Sequence, residues 1–250
     1  MQVVSAYGPL CTLFYDADKP RAEDDELGWY LERLPADRGP ALEAMCGSGR
    51  LLLPLVAAGR NVHGVDASPS MLASCEARLA NAGLRAPLFR QNIAELNLPF
   101  RYGAVIIAAG SFQLLTDPSA ASAALERIRA HLVPPSRLIM DMFVPAEGTQ
   151  RLGATLVEVR SAQLSDGTRI ALRSETTMFA DARLARTASR YVRRRGSEHL
   201  GEETEAIAYT WYLTDECVAL LSEAGFRDVE IGPPARPPAD GTGYAVMATG

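Results

Sequence analysis

The sequence is poor in the residues that build metal centres and disulfide frameworks. Its 250 residues hold only four cysteines (Cys11, Cys46, Cys75, Cys217) and three histidines (His63, His131, His199). No two cysteines have CxxC spacing and no Cys/His set has zinc spacing, so no metal site is expected and a reducing compartment is the simplest one. No run of about 18 apolar residues occurs, which argues against a membrane-spanning helix. Met1 to Leu10 lacks a basic segment followed by an apolar run, so no signal peptide is expected. Positive charge is not in excess either. The 25 Lys and Arg against 30 Asp and Glu give a net charge of −5, unfavourable for general nucleic-acid binding though not for a local basic patch. A soluble, cytoplasmic protein is the expectation these absences leave.

What is present suits a globular chain with a full core: 48% hydrophobic and 22% charged residues. The length fits one large α/β domain, or one domain with an insertion. Residues 1–40 are mixed, with a short helix predicted over Asp24–Leu34 from Leu27, Tyr30, Leu31 and Leu34. A βα alternation then begins. Ala41–Met45 reads as a strand, Gly47–Gly49 as a turn, and Arg50–Ala58 as a helix kinked at Pro54 and closed by Gly59. Asn61–Val65 is a second strand. Ser68-Pro69 starts a helix with Met71, Leu72, Cys75 and Leu79 on one face. Strands follow at Pro87–Arg90, Ala104–Ala109 and Arg137–Phe143, with a helix from Asp117-Pro118 between the last two. Such alternation implies a doubly wound, mostly parallel sheet with right-handed crossovers.

The pattern changes over 155–212. Asp166-Gly167, Ala180-Asp181-Ala182 and Gly196-Ser197 read as turns joining four antiparallel strands. These interrupt an α/β domain formed by residues 1–154 and 213–250. A helix capped by Thr214 follows, then strands Arg227–Ile231 and Tyr244–Thr249 separated by the Pro-rich loop Gly232–Gly243. The expected sheet has seven strands, the last antiparallel.

Two features carry chemistry. The glycine turn Gly47-Ser48-Gly49 follows the first strand, at the sheet edge where doubly wound folds bind ligands. Glycine there lets backbone approach a ligand and adopt positive φ. Asp66 ends the second strand, where an acid can accept both ribose hydroxyls of a nucleoside. A nicotinamide reductase shares this architecture, but its fingerprint needs a third glycine where Leu52 stands. A P-loop needs Gly-Lys-Ser/Thr, and Gly49 is followed by Arg50-Leu51.

The run Glu43-Ala44-Met45-Cys46-Gly47-Ser48-Gly49-Arg50 and the run Gly64-Val65-Asp66-Ala67-Ser68-Pro69-Ser70-Met71-Leu72 resemble the first two motifs of the class I S-adenosylmethionine (SAM)-dependent methyltransferases. Met45 stands where the family has its first glycine. The resemblance covers about 41–143 and resumes from Thr214, and it implies a Rossmann-like fold, SAM as cofactor and methyl transfer. It implies that Met45, Cys46 and Gly47 meet the methionine part through their backbone, with Gly49 completing the turn. Glu43 would lie near the ammonium, Asp66 at the ribose, and Ala67 and Met71 against adenine. Gln91-Asn92-Ile93 falls where the family often has Gly-Asp-Met, which implies that Asn92 meets the adenine amino group and Ile93 a ring nitrogen. Ala108 would line the sulfonium.

An antiparallel insertion at this point resembles the lid of small-molecule methyltransferases, including sugar N-methyltransferase-like enzymes. Tyr15, Tyr30, Phe112 and Trp211 are then candidate walls for the acceptor. Each aromatic is also an ordinary core residue by type. No catalytic residue is assigned: His63 reads as structural, His131 as a helix-end residue and His199 as a solvent-facing one. Orientation alone can supply roughly 7–11 kcal/mol of a transfer barrier, against about 3–5 kcal/mol from a general base. The arginines of 183–195 read either as a strand edge shielded by charge or as a contact for an acidic substrate or RNA. The expected function is methyl transfer from SAM to nitrogen or oxygen of a small-molecule acceptor. The expected partners are that acceptor, with no membrane, nucleic acid disfavoured and a homodimer left open. The alternatives are a non-catalytic SAM-binding sensor or partner subunit and, more remotely, an NAD(P)-dependent reductase.

Overall fold

The computed structural model describes residues 7–35, 38–147, 153, 155–238 and 241–250. Two helices come first, α1 (Pro9–Asp18) and α2 (Asp24–Arg33), followed by β1 (Ala41–Ala44), α3 (Leu52–Ala57), β2 (Val62–Asp66), α4 (Pro69–Asn81), β3 (Leu88–Arg90) and β4 (Tyr102–Ile107). Then come α5 (Pro118–His131) and β5 (Leu132–Val144), four strands β6 (Thr155–Gln163), β7 (Arg169–Phe179), β8 (Leu184–Arg195) and β9 (Glu198–Thr210), and finally α6 (Thr214–Glu223), β10 (Arg227–Gly232) and β11 (Thr242–Thr249).

Seven strands form one sheet in the order β10-β11-β5-β4-β1-β2-β3. Strands β1 to β5 pair in parallel, while β11 runs antiparallel to both β5 and β10. Strands β1 and β4 are buried at every position, as strands covered on both faces must be. Period-two alternation divides their side chains between two layers. Leu42, Val105 and Ile107 pack with Leu125 and Ile128 of α5 and Leu221 of α6, while Ala104 and Ile106 pack with Leu52 and Leu55 of α3 and Cys75 of α4. The remaining four strands form a separate antiparallel sheet in the order β6-β7-β8-β9.

Several local expectations change. α1 lies in the stretch that looked mixed; its apolar side chains Cys11 and Phe14 pack on Ile170, Leu172 and Tyr191 of the second sheet, contacts with no local sequence signal. α3 begins at Leu52 rather than Arg50, so Pro54 occupies the third helical position. An amide there has no intrahelical partner to lose, and the expected kink is unnecessary. Leu213, not Thr214, caps α6, with its amide bonded to Glu216 at 2.9 Å. β8 is an interior strand, so the strand-edge reading of its arginines is corrected. Arg183 pairs with Glu216, Arg190 with Glu202 and Arg193 with Asp166. Residues 1–6 of the expected leaderless start and residues 239–240 of the Pro-rich loop lie outside the described residues. Among the described residues, no helix is long and apolar enough to cross a membrane.

Candidate functional site

A cavity of about 440 Å³ opens at the C-terminal ends of β1, β2 and β4, within the range of small-ligand sites. The backbone at its rim is unusual. Met45 (φ 59°), Gly47 (φ 56°) and Gly49 (φ 82°) follow β1, and Ala109 (φ 54°) and Gly110 (φ 70°) follow β4. Left-handed conformations at three non-glycine residues of the cavity wall, Met45, Ala109 and Tyr7 (φ 59°), concentrate strain of order 1–3 kcal/mol each around it. Met45 thus adopts the conformation for which a glycine would be the ordinary choice.

Asp66 organises the loops. Its Oδ2 accepts the Gly47 amide at 2.8 Å and its Oδ1 the Ser68 amide at 2.8 Å, so one carboxylate ties the turn after β1 to the start of α4. Ser68 caps α4 by accepting the Met71 amide at 3.2 Å. Its hydroxyl donates to the Tyr7 carbonyl at 2.8 Å, docking the N-terminal segment on the rim. The Tyr7 amide in turn donates to Glu205 of β9. Gly49 does not line the cavity. A β-carbon there would lie 2.4 Å from Leu53 and 2.7 Å from Cys75, so its glycine serves the turn's packing. Leu52, where a dinucleotide site has its third glycine, packs against Gly64 of β2; a β-carbon on Gly64 would sit 2.7 Å from Leu52. Helix and strand approach closely through a glycine on the strand instead.

Of the residues expected at the cofactor, Glu43, Met45, Cys46, Gly47, Asp66, Ala67, Met71, Asn92, Ile93 and Ala108 all line this one cavity. Asn92 also caps the short turn Ile93–Glu95, its Oδ1 accepting the Ala94 amide at 3.0 Å. Of the expected acceptor walls, Tyr15 lines the cavity and three do not. Tyr30 is fully buried and donates its hydroxyl to Asp141. Phe112 is fully buried in the main core. Trp211 packs with Met178 and Ala185. Each is held by neighbours distant in sequence, which composition could not reveal.

The electrostatics centre on Glu43 and Arg50. Glu43 is 4% exposed and, among the described residues, its Oε2 has no hydrogen-bond partner. Burial pushes its carboxyl well above the usual range, and Arg50 opposes that only in part. Arg50 meets Glu26 through two bonds of 2.5 and 2.7 Å; burial opposes its charge, and Glu26 outweighs burial to hold the guanidinium above its ordinary value. Burial raises the Asp66 carboxyl, against the amides of Ser68, Gly47 and Ala67 that lower it. The Cys46 thiol is pushed well above its ordinary value by its hydrogen bond with Cys75 and by burial, which suits a packing residue and not a nucleophile.

The sequence reading missed Tyr7, Arg50 and Ser111 on the cavity wall. Arg50 was signalled by its place directly after the glycine turn; Tyr7 had no local signal, since it is held by Glu205. The histidines lie elsewhere. His63 is 3.3 Å from the Tyr102 hydroxyl, His131 bridges the Arg127 carbonyl and the Leu98 amide, and His199 sits beside Glu202. Among the described residues, no group of His, Cys, Asp and Glu could hold a metal ion.

Residues 41–135 match a family described as a methyltransferase domain. No curated protein matches the chain. Among solved structures, an S-adenosylmethionine-dependent methyltransferase from Clostridium acetobutylicum is similar at 16% identity, covering 94% of this chain and 95% of its own, with a TM-score of 0.74. A sugar N-methyltransferase from Streptoalloteichus shares 19% identity over 100% of this chain and 97% of its own, TM-score 0.74. An amino pentose methyltransferase from Micromonospora echinaspora shares 20% over 99% of each chain, TM-score 0.69. At these identities the structures show a common fold.

Proposed function

We propose that this chain, which carries a methyltransferase domain over residues 41–135, methylates an amine nitrogen of a small molecule, an amino sugar being the preferred class, with SAM as methyl donor. The observation that carries the reading is Glu43 Oε2, a buried carboxyl oxygen in the cavity wall that has no partner among the described residues. Leaving such an atom unpaired is costly, and the ammonium of a methionine moiety is a fitting donor. Arg50 and Tyr15 share that wall and suit the carboxylate of the same moiety. Asp66 keeps lone pairs for ribose hydroxyls beside the amide bonds it accepts, and Met71, Asn92 and Ile93 suit adenine.

SAM supplies an activated methyl group on sulfur. The chain supplies orientation and a dry site. Ala108, Ala109 and Ser111 form the wall after β4, and the segment bearing Tyr7 and Tyr15 closes the opposite side. The second sheet is joined to the core by Gln113, whose Nε2 donates to the carbonyls of Phe143 and Thr210, each at 2.8 Å, and we read it as a lid for the acceptor side. An alcohol acceptor would need a base. The cavity's two carboxyls, Glu43 and Asp66, are taken by the methionine and ribose parts of SAM in this reading, its described residues offer no imidazole, and burial raises the Tyr15 hydroxyl. A neutral amine needs none while bound, which favours nitrogen over oxygen. The names of two similar structures, a sugar N-methyltransferase and an amino pentose methyltransferase, support the same class.

The test is twofold. Calorimetry is expected to show SAM binding and no NAD(H) binding. Incubation with SAM and a panel of amino sugars, other amines and alcohols is expected to yield S-adenosylhomocysteine and an N-methylated product. SAM binding without turnover on any acceptor would instead support a sensor or partner subunit.

A further inference from the structure

The second sheet has one unpaired edge. β6 borders it, and among the described residues no strand lies on the outer side of β6. The opposite edge strand, β9, is tied to the core by its Thr210 carbonyl and shifts register against β8 between Arg193 and Arg194. β6 has neither device. Its nine residues include no proline or lysine, and they follow β7 in one unbroken register from Thr155 to Gln163, so the ordinary protection of an edge strand is missing. Leu156, Val157 and Val159 are 46, 56 and 71% exposed. These are the three most exposed large hydrophobic side chains among the described residues, and all three stand on this one strand. A regular edge strand with apolar side chains in water is a template for a further strand.

The charges identify that further strand. Glu158 and Arg160 are the only charged residues of β6 and flank Val159, its midpoint. Glu158 is 60% exposed, and its own Arg160 lies 3.7 Å away and is shared with Asp18. A second β6, antiparallel about a two-fold axis through Val159, gives every residue from Thr155 to Gln163 a partner. Glu158 then lies opposite Arg160 of the second copy, and Arg160 opposite its Glu158. The two Val159 side chains meet on the axis, and Leu156 meets Ala162. Unlike charges directly opposite each other stabilise such a ladder and like charges oppose it. Moving the axis to Glu158 or to Arg160 would set like charges face to face, so one register is selected. The exposed face of the sheet is a poor alternative. It bears Val157 and Val159 beside Glu175 and Arg173, then Arg173 opposite Arg190 and Arg169 opposite Arg194. A second copy laid face-on would bring these arginine rows together.

We propose that β6 is a dimerisation strand: two copies pair edge to edge through Thr155–Gln163 and build one continuous eight-stranded antiparallel sheet. Pairing about a two-fold axis closes on itself and leaves β9 as the edge on both sides. Nothing in it depends on methyl transfer. Sedimentation velocity of the full chain over a dilution series is expected to show a reversible dimer. Glu158→Arg places two like-charged pairs in the seam and should raise the dissociation constant by about tenfold or more. Combining Glu158→Arg with Arg160→Glu restores unlike charges across the axis and should recover most of that loss. Val159→Cys should form an intermolecular disulfide under mild oxidation, since opposite residues of an antiparallel pair bring their α-carbons about 4.5–5.5 Å apart. Val133→Cys, an exposed position on β5, should not. Thermal melts verify folding, and the cross-link reads the register in a chain whose charges are untouched. A parent chain that stays monomeric at every concentration overturns the proposal. So does a dimer that Glu158→Arg leaves unchanged, a folded charge-exchanged variant as weak as Glu158→Arg, or Val159→Cys that cross-links no better than Val133→Cys.

Discussion

Replacing Asp66 by alanine removes two amide-to-carboxylate hydrogen bonds, from Gly47 and Ser68, each 2.8 Å long. Bonds of this kind contribute about 1.5–3 kcal/mol each. The site is a cavity wall, so water replaces part of the loss, and about 2–3 kcal/mol of destabilisation is expected. For a chain of this size that corresponds to a fall of about 4–12 °C in Tm. The carboxylate is also the proposed ribose partner. SAM affinity should therefore drop roughly 10- to 150-fold, the equivalent of about 1.5–3 kcal/mol. Asp66→Asn separates the effects, since one oxygen survives while the amide group confronts an N–H donor. Differential scanning fluorimetry and calorimetry measure the two quantities. A variant that melts and binds SAM like the parent protein would refute both roles; normal binding with a lowered Tm would refute the ribose role alone. The pH dependence has a definite sign. Burial raises the Asp66 carboxyl above its ordinary 3.8, so its contribution relative to Asp66→Asn is full below that value. That pH-dependent part is lost as pH rises through the raised folded value, while the two amide bonds remain to the ionised carboxylate. The opposite slope would contradict the burial argument.

Glu43 should release protons when SAM binds, because its buried carboxyl sits well above the usual range and an ammonium partner favours the ionised form. Calorimetry in buffers of different ionisation enthalpy reads this directly, and identical heats would contradict it. Arg50→Met leaves Glu26, 2% exposed, as an unpaired buried charge, at a cost of about 3–5 kcal/mol in urea unfolding. Adding Glu26→Met should recover most of it, and no recovery would show that the pair is not the cause. Gln113→Leu strands the Phe143 amide and the carbonyls of Phe143 and Thr210. A loss of about 3 kcal/mol and faster amide exchange at Phe143 are expected, and unchanged exchange would show that Gln113 does not join the two sheets.

Legibility in the sequence followed locality. The run from Ala41 to Asp66 carried its own structure. Its buried strands lack polar alternation because both faces are covered, and Ser68-Pro69 marks a helix start by chemistry confined to four residues. The hairpin at Asp166-Gly167 was visible for the same reason. Ten of the eleven expected cofactor residues line one cavity, because motif spacing along a βαβ unit also sets spacing along a sheet edge. The exception, Gly49, is the one whose space is taken by Leu53 and Cys75.

Contacts between distant segments were not legible. Tyr30, Phe112 and Trp211 were aromatics of unknown address, and packing, not composition, decided that they lie off the cavity. Tyr7 joined it through Glu205, a partner 198 residues away. The arginines of 183–195 read as a shielded strand edge or a contact patch until the tertiary structure put β8 inside the second sheet and gave Arg183, Arg190 and Arg193 the partners Glu216, Glu202 and Asp166. By itself, the sequence determined the βα alternation, the glycine turn and the acid after β2, since each depends on neighbours within one supersecondary unit. Only the tertiary structure decided which aromatics face the site and that Glu43 is buried there beside Arg50, because burial and charge balance are set by whatever the rest of the chain brings alongside.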